Sequence, residues 1–267
     1  MPEDKLLDIV INGDALVALK QLPSESVHLI ITSPPYNLGI KYKSCFDNLR
    51  YLEYLNWLNT IWIEAERILI TGGRICINIG ENKRSNISIP TYAAFINQLI
   101  NLKMLYRGTI IWNKNNAAKH CAWGSWCSPS NPHIVPRHEY ILIFCKNSYK
   151  LDGDSFNSDI VDTEFMEYTR SIWCIGTEKK TKIGHPAPFP LKLPQRLIKF
   201  YSYTHNIILD MFSGSGTTGI AAKQLNRHFI LIDNCLEYCK LAQDRFRKEF
   251  NDYPIIINQM VEEQHAR

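Results

Sequence analysis

No stretch of this sequence approaches the ~20 consecutive apolar residues that a membrane-crossing helix needs. The opening MPEDKLLDIV carries charges where a secretory signal would place its apolar region. The expectation is a cytoplasmic protein with no membrane role. The eight cysteines contain no CxxC pair, so neither a disulfide framework nor a zinc site is indicated, and no metal is expected. Cys235 and Cys239 share a helical face, and Cys121 and Cys127 bracket CAWGSWC; all four read as plain buried or half-buried thiols. Internal repeats and low-complexity segments are missing as well. Nor is there a strong charge of one sign: 30 Lys and Arg against 26 Asp and Glu permit an anionic partner without demanding one. What is present is a chain of 267 residues, 45% of them hydrophobic, enough for a sizeable core.

Short β-branched runs alternate with amphipathic stretches, the pattern of an α/β fold with a mostly parallel, doubly wound sheet. The strands are expected at 8–12, 27–32, 74–79, 107–112, 139–145, 207–211 and 228–233. Between them, YLEYLNWLNTIWIEAERIL (51–69) places Leu52, Leu55, Leu58, Trp62, Ala65 and Leu69 at helical steps, and DALVALKQL and TTGIAAKQL read the same way. Residues 1–250 are expected to form one catalytic domain and 251–267 a loose tail. Two stretches, 113–137 and 147–188, are too long to be idle connections, which usually run ~4–6 residues, and loops of that size on a rigid sheet tend to be functional.

The segment IILDMFSGSGTTGIAAKQLNRHFILID (207–233) reads as strand, small-residue turn, helix and strand. A helix opening near Thr217 aims backbone N–H groups and a positive helix end at the strand tip. A second strand ends in Asp233, about 20 residues on, placed to accept hydrogen bonds from ribose hydroxyls. Gly214, Gly216 and Gly219 satisfy GxGxxG, so an NAD-dependent oxidoreductase is one reading. Asp210, which closes the strand before the loop, favours another. An acid there would repel a pyrophosphate but can hold the cationic amino group of S-adenosylmethionine.

The strand 27–32 delivers TSPPYN to the same edge. Pro34 and Pro35 have fixed φ and no N–H, so the segment is stiff and presents carbonyl oxygens without competing donors. An exocyclic amino group that donates its two N–H bonds to the Ser33 hydroxyl and the Pro34 carbonyl can pyramidalise and aim its lone pair at a methyl group. Tyr36 then offers a stacking face to a base flipped out of a duplex.

These residues resemble the amino-group DNA methyltransferases of restriction–modification systems, in the group whose catalytic motif precedes its cofactor motif. TSPPYN is similar to the family's (D/N/S)-P-P-(Y/F/W) motif, and DMFSGSGTTG to its methyl-donor loop. HPAPFPLKLPQRLIKFYS (185–202) is similar to the segment that closes over the methionine part of the cofactor. The resemblance spans residues 8–247. It implies a seven-stranded sheet with one reversed strand, and a first strand lying beside the last ones so that Asp14 reaches the cofactor adenine. S-Adenosylmethionine is the implied cofactor, bound by Asp14, Asp210, Phe212, Ser213, Gly214, Ser215, Gly216, Thr217, Thr218, Asp233, His185, Pro186 and Phe189. The implied catalytic residues are Ser33, Pro34, Pro35 and Tyr36. Serine at the first position of the clamp goes mostly with cytosine, giving N4-methylcytosine; N6-methylation of adenine by the same mechanism is the alternative. Double-stranded DNA is the implied partner, with a target-recognition region at about 147–184. Related enzymes are often dimers and work beside a cognate restriction endonuclease.

Candidate DNA contacts are Asn37, Trp123, Trp126, Arg137, Lys179, Lys180 and Lys182, the tryptophans by stacking and the cations at phosphate. Lys83, Arg84, Lys114 and Lys119 are further candidates for phosphate, whereas Arg196 and Lys199 read as solvent-facing. A protein or RNA amino methyltransferase normally has its cofactor loop first, so motif order disfavours it. A non-catalytic DNA-binding module is disfavoured because both halves of the site are intact.

Overall fold

A computed structural model describes residues 7–37, 48–84, 87–114, 124–134, 136–178, 190–252 and 254–258. β1 (Ile9–Asn12) leads through α1 (Ala15–Gln21) to β2 (Val27–Thr32), followed by α2 (Tyr51–Ile68) and β3 (Leu69–Ile79). A small hairpin of β4 (Asn82–Arg84) and β5 (Ile87–Ile89) precedes α3 (Thr91–Asn101), β6 (Leu105–Asn113) and β7 (His138–Cys145). α4 (Asp162–Tyr168), β8 (Ile172–Cys174), α5 (Lys192–Tyr201), β9 (Ile207–Asp210), α6 (Thr217–Gln224), β10 (His228–Asp233), α7 (Leu236–Phe250) and β11 (Ile255–Asn258) complete the order.

Side chains on the central strands are buried on both faces, and their alternation divides the core into two layers. Ile30 of β2 and Ile75 and Ile77 of β3 pack with α1, α2 and α3. Leu29, Ile31 and Cys76, one residue out of phase on the same strands, pack with α5, α6 and α7. The helical stripe of α2 is buried through Tyr54, Leu58, Ile61, Trp62, Ala65 and Ile68. Leu52, expected in that stripe, is 72% exposed, and Leu69 already belongs to β3.

All seven expected strands form, and the sheet runs β11-β1-β10-β9-β2-β3-β7-β6-β8. β7 is antiparallel to both neighbours and is the one reversed strand. The count is nine rather than seven, because a short strand is added at each edge. β8 pairs with the end of β6. β11 pairs with β1 inside the expected tail, where Ile255, Ile256 and Ile257 supply the β-branched run that an edge strand needs. As expected of the motif order, β1 lies beside β10, with Asn12 opposite Asp233.

Within the stretch 147–184, expected as a recognition region, the described residues up to Tyr168 run along the amino edge of the sheet. β7 ends at the amino edge of the sheet, and the chain stays there. Asn157 accepts from the N–H of Thr204 (2.9 Å), and Asp159 pairs with both terminal nitrogens of Arg227 (2.6 and 2.7 Å). The Arg227 side chain is fully buried. A buried guanidinium needs a carboxylate, and that need fixes the path of the segment. Glu164 and Glu167 of α4 then bind Lys199 and Arg196 of α5. Arg196 is buried against the rings of Tyr168 and Trp173, so these two cations join α4 to α5 rather than facing solvent. From Ile172 onward, the parallel pairing with β6 brings the chain to the carboxyl edge. Replacing Asp159 with alanine, which strands the Arg227 charge, is expected to lower stability by about 3 kcal/mol in urea unfolding.

Candidate active site

The functional edge is built from the carboxyl ends of the parallel strands and the start of β7. Beyond Thr32 the chain is extended, with Ser33, Pro35 and Tyr36 half-buried and Pro34 buried. The Tyr54 hydroxyl of α2 donates to the Pro35 carbonyl (2.8 Å) and fixes the stiff segment to the helix behind it. Among the described residues no hydrogen bond reaches the Pro34 carbonyl, which is the acceptor the clamp requires. The Ser33 hydroxyl lies 3.2 Å from the Asn78 carbonyl and 3.3 Å from the Tyr36 hydroxyl.

Two residues from other strands complete this corner. The Asn78 amide of β3 donates to the Tyr36 hydroxyl (2.9 Å) and to Glu139 Oε2 (2.7 Å). The Tyr36 hydroxyl itself donates to Glu139 Oε2 (3.0 Å), and the Lys114 ammonium binds the other Glu139 oxygen. The Tyr36 ring lies against Gly80, where an added Cβ would sit 3.2 Å from Cε2.

The glycine loop follows β9. Asp210 is 1% exposed. Its Oδ1 accepts from the Thr32 hydroxyl and the Phe212 N–H (3.1 Å each), and its Oδ2 accepts from the Thr218 hydroxyl (2.6 Å). Burial pushes its pKa up to about 6, even though all three donors favour the ionised form. Asp233, at the end of β10, accepts from the N–H groups of Gly214 (2.8 Å) and Cys235 (2.9 Å), and burial raises its pKa too. Gly216 caps α6 with φ of 75°, and a Cβ there would lie 2.7 Å from that of Ala242. From α7, Arg245 donates to the Ser215 carbonyl (2.6 Å) and hydroxyl (3.0 Å) and to the Thr217 hydroxyl (2.9 Å). Phe212 packs on Trp57 of α2, with ring centroids 5.8 Å apart.

The bond from Thr32 to Asp210 joins the strand that carries the clamp to the strand that carries the loop. β2 and β9 are neighbours at the point where the helix cover changes from one face to the other, which is where open α/β sheets form their ligand crevice.

A family model described as DNA methylase, of the N6/N4 type, matches residues 27–244. The chain belongs to this family. Among curated relatives, the type II methyltransferase M.MjaVI of Methanocaldococcus jannaschii is 37% identical over 174 residues, 65% of this methylase and 88% of that protein. The type II methyltransferase M.HpaI of Haemophilus parainfluenzae is 31% identical over 271 residues, covering 94% of this chain and 78% of that one. Among solved structures, a Thermus thermophilus DNA modification methylase complexed with S-adenosyl-L-methionine superposes with a TM-score of 0.78 at 27% identity, covering 95% of this chain and 99% of that one. The cytosine-N4-specific PvuII DNA methyltransferase shares the fold at a TM-score of 0.70 and 22% identity, covering 89% and 85%.

The methylase brings Ser33, Pro34, Pro35 and Tyr36 to the same edge as Asp210, Phe212, Ser213, Gly214, Ser215, Gly216, Thr217, Thr218 and Asp233. Asp14 reaches that edge beside Asp233, through the Gly13 N–H donating to the Asp233 carbonyl (3.0 Å). Its Oδ1 caps α1 by accepting from Leu16 and Val17 (2.9 and 3.2 Å). The Asp210 oxygens, expected to meet an ammonium group, accept from Thr32, Phe212 and Thr218. Asn37 is buried and its amide donates to the Leu49 carbonyl (2.9 Å), which removes it from the DNA-facing set. Lys114, a candidate for phosphate, is bound to Glu139. Trp126 is 76% exposed, and Arg137 is exposed at the start of β7. Trp123, Lys119, Lys179, Lys180, Lys182, His185, Pro186 and Phe189 lie outside the described residues. The side chains of Lys83 and Arg84 do too.

Asn78, Glu139 and Arg245 have site roles that the sequence did not disclose. Each sits on a regular element with no local motif. The only available signal was a polar residue at the edge-facing end of an apolar strand, as in CINIGEN and RHEYILIF.

Proposed function

We propose that this methylase is a type II enzyme of a restriction–modification system. It transfers a methyl group from S-adenosyl-L-methionine to the exocyclic N4 amino group of a cytosine flipped out of double-stranded DNA. The observation that carries the reading is the contact from Thr32 to Asp210, which sets an acceptor clamp and a nucleoside-type glycine loop side by side. The residues fit the cofactor: the buried Ser213 hydroxyl has no partner among the described residues, and two carboxylates, Asp210 and Asp233, flank the loop with charge suited to a cationic ligand. S-Adenosylmethionine supplies an electrophilic methyl group on a sulfonium. The chain does the rest by positioning. Ser33 and the Pro34 carbonyl take the two N–H bonds of the amine, Tyr36 stacks on the base, and Trp126 and Arg137 stand at the edge where DNA would lie. Serine in the clamp supports cytosine, because the corresponding adenine enzymes of the resembling family usually carry Asp or Asn.

Expression in a host that lacks DNA methylation, followed by sequencing that separates 4-methylcytosine from 6-methyladenine, tests this directly. The expected result is 4-methylcytosine confined to one short motif. 6-Methyladenine would overturn the base assignment, and unmodified DNA together with no tritiated methyl transfer in vitro would overturn the reaction.

A further inference from the structure

The clamp hydroxyl does not end in solvent. Ser33 Oγ lies 3.3 Å from the Tyr36 hydroxyl, which donates to Glu139 Oε2 at 3.0 Å. The Asn78 amide holds the middle and far members of this row, at 2.9 Å to Tyr36 and 2.7 Å to Glu139. The Asn78 amide also lies 3.5 Å from Ser33 Oγ, and the Ser33 proton has two acceptors in reach, the Asn78 backbone carbonyl at 3.2 Å and the Tyr36 hydroxyl at 3.3 Å; the relay uses the second. Lys114 supplies the countercharge on the other Glu139 oxygen. Glu139 thus keeps one oxygen on Lys114 and turns the other to the Tyr36 hydroxyl.

We infer that Glu139 accepts the proton released by the methylated amino group, acting through Tyr36 and Ser33. The inference rests on the amino-methyltransferase reading above. The nitrogen lone pair forms the new N–C bond while the electron pair of the breaking S–C bond returns to sulfur. As that bond forms the nitrogen gains positive charge and loses conjugation with the ring, so its surplus proton becomes strongly acidic and is shed in the same step. That proton passes to Ser33 Oγ, the Ser33 proton passes to Tyr36 Oη, and the Tyr36 proton passes to Glu139 Oε2. Ser33 and Tyr36 end as they began, the amine is neutral, and Glu139 is a neutral acid that returns its proton to water before the next cycle. The Glu139 side chain keeps 12% of its surface exposed, which gives the exit. Tyr36 thus serves twice: its ring stacks on the base and its hydroxyl relays the proton.

The test is single-turnover transfer of tritiated methyl from S-adenosylmethionine to duplex DNA by wild type, Glu139→Gln, Tyr36→Phe and the double variant, in H2O and D2O. Glutamine keeps size and an acceptor, and phenylalanine keeps the stacking ring, but neither can pass the proton on. Each single variant is expected to be about 100-fold slower, within the usual span of general acid–base catalysis. The double variant is expected to be no slower than either single variant, and the wild-type solvent isotope effect should vanish in all three. A purely structural role would make the losses additive and leave the isotope effect in place. A rate for Glu139→Gln within twofold of wild type would overturn the relay, as would a slow Glu139→Gln beside a fast Tyr36→Phe. If Glu139→Gln fails to fold, Tyr36→Phe alone decides by its isotope effect. Failure of wild type to transfer methyl at all would instead sink the parent reading.

Discussion

Replacing Tyr36 with alanine is expected to slow methyl transfer to DNA by about 1,000-fold while cofactor affinity stays within twofold. Two losses add. Stacking of a base on an aromatic ring is worth ~1–3 kcal/mol, and the missing hydroxyl leaves the Asn78 amide and Glu139 short of a partner in a half-buried corner, at ~1–3 kcal/mol. Their sum of about 4 kcal/mol corresponds to three decades in rate. Cofactor binding is spared because the link between the halves runs through Thr32. Single-turnover kinetics and calorimetric titration with S-adenosylmethionine, run on the same preparation, separate the two quantities. Full activity in the alanine variant would mean that the ring does not hold the base.

A second large effect is expected at Asp210. With its pKa raised to about 6, the native state holds this proton at pH values where the unfolded chain has already released it. Stability therefore falls as pH rises from about 4 to about 6, and the burden of the buried charge is complete above that, at about 3 kcal/mol. A cationic ligand reverses the preference, since it favours the ionised carboxylate. S-Adenosylmethionine affinity is thus expected to rise through pH 6 and level off above it, weakening by up to about tenfold per pH unit below. Asp210→Asn should abolish this dependence, bind the cofactor about 100-fold more weakly at pH 7.5, and lose the stability decline between pH 4 and 6. Urea unfolding across about pH 4 to 8 and titration calorimetry across about pH 5 to 8 read both arms. A wild-type affinity that is flat across pH 6 would remove Asp210 from cofactor binding.

Both predictions concern residues inside motifs, and the motifs were the legible part of the sequence. The β-branched runs disclosed seven strands because burial on two faces demands unbroken apolar sequence. TSPPY and SGSGTTG stood out because proline and glycine are chosen for backbone reasons that composition makes visible. The corner behind Tyr36 was not legible. Asn78 and Glu139 come from strands 42 and 103 positions away from Tyr36, and only the β3 and β7 register places them together. Asp159 and Arg227 are likewise 68 residues apart, so the course of 147–168 along the amino edge depended on a pairing that no local pattern encodes. β8 was too short to carry a period, and β11 sat in what looked like a tail because an edge strand needs only four suitable residues.

The position of β1 in the sheet has a consequence for how the protein becomes active. Both neighbours of this first strand, β10 and β11, are made last; the Asn12 amide waits for a carbonyl 221 residues later. Thr32 waits for Asp210 across 178 residues. Contacts of such separation form slowly because the intervening loop must close first. A chain still emerging from the ribosome therefore carries the clamp but has neither the loop beside it nor the strands that seat its own N-terminus. A chain stopped before β9 would carry the clamp without the glycine loop that faces it.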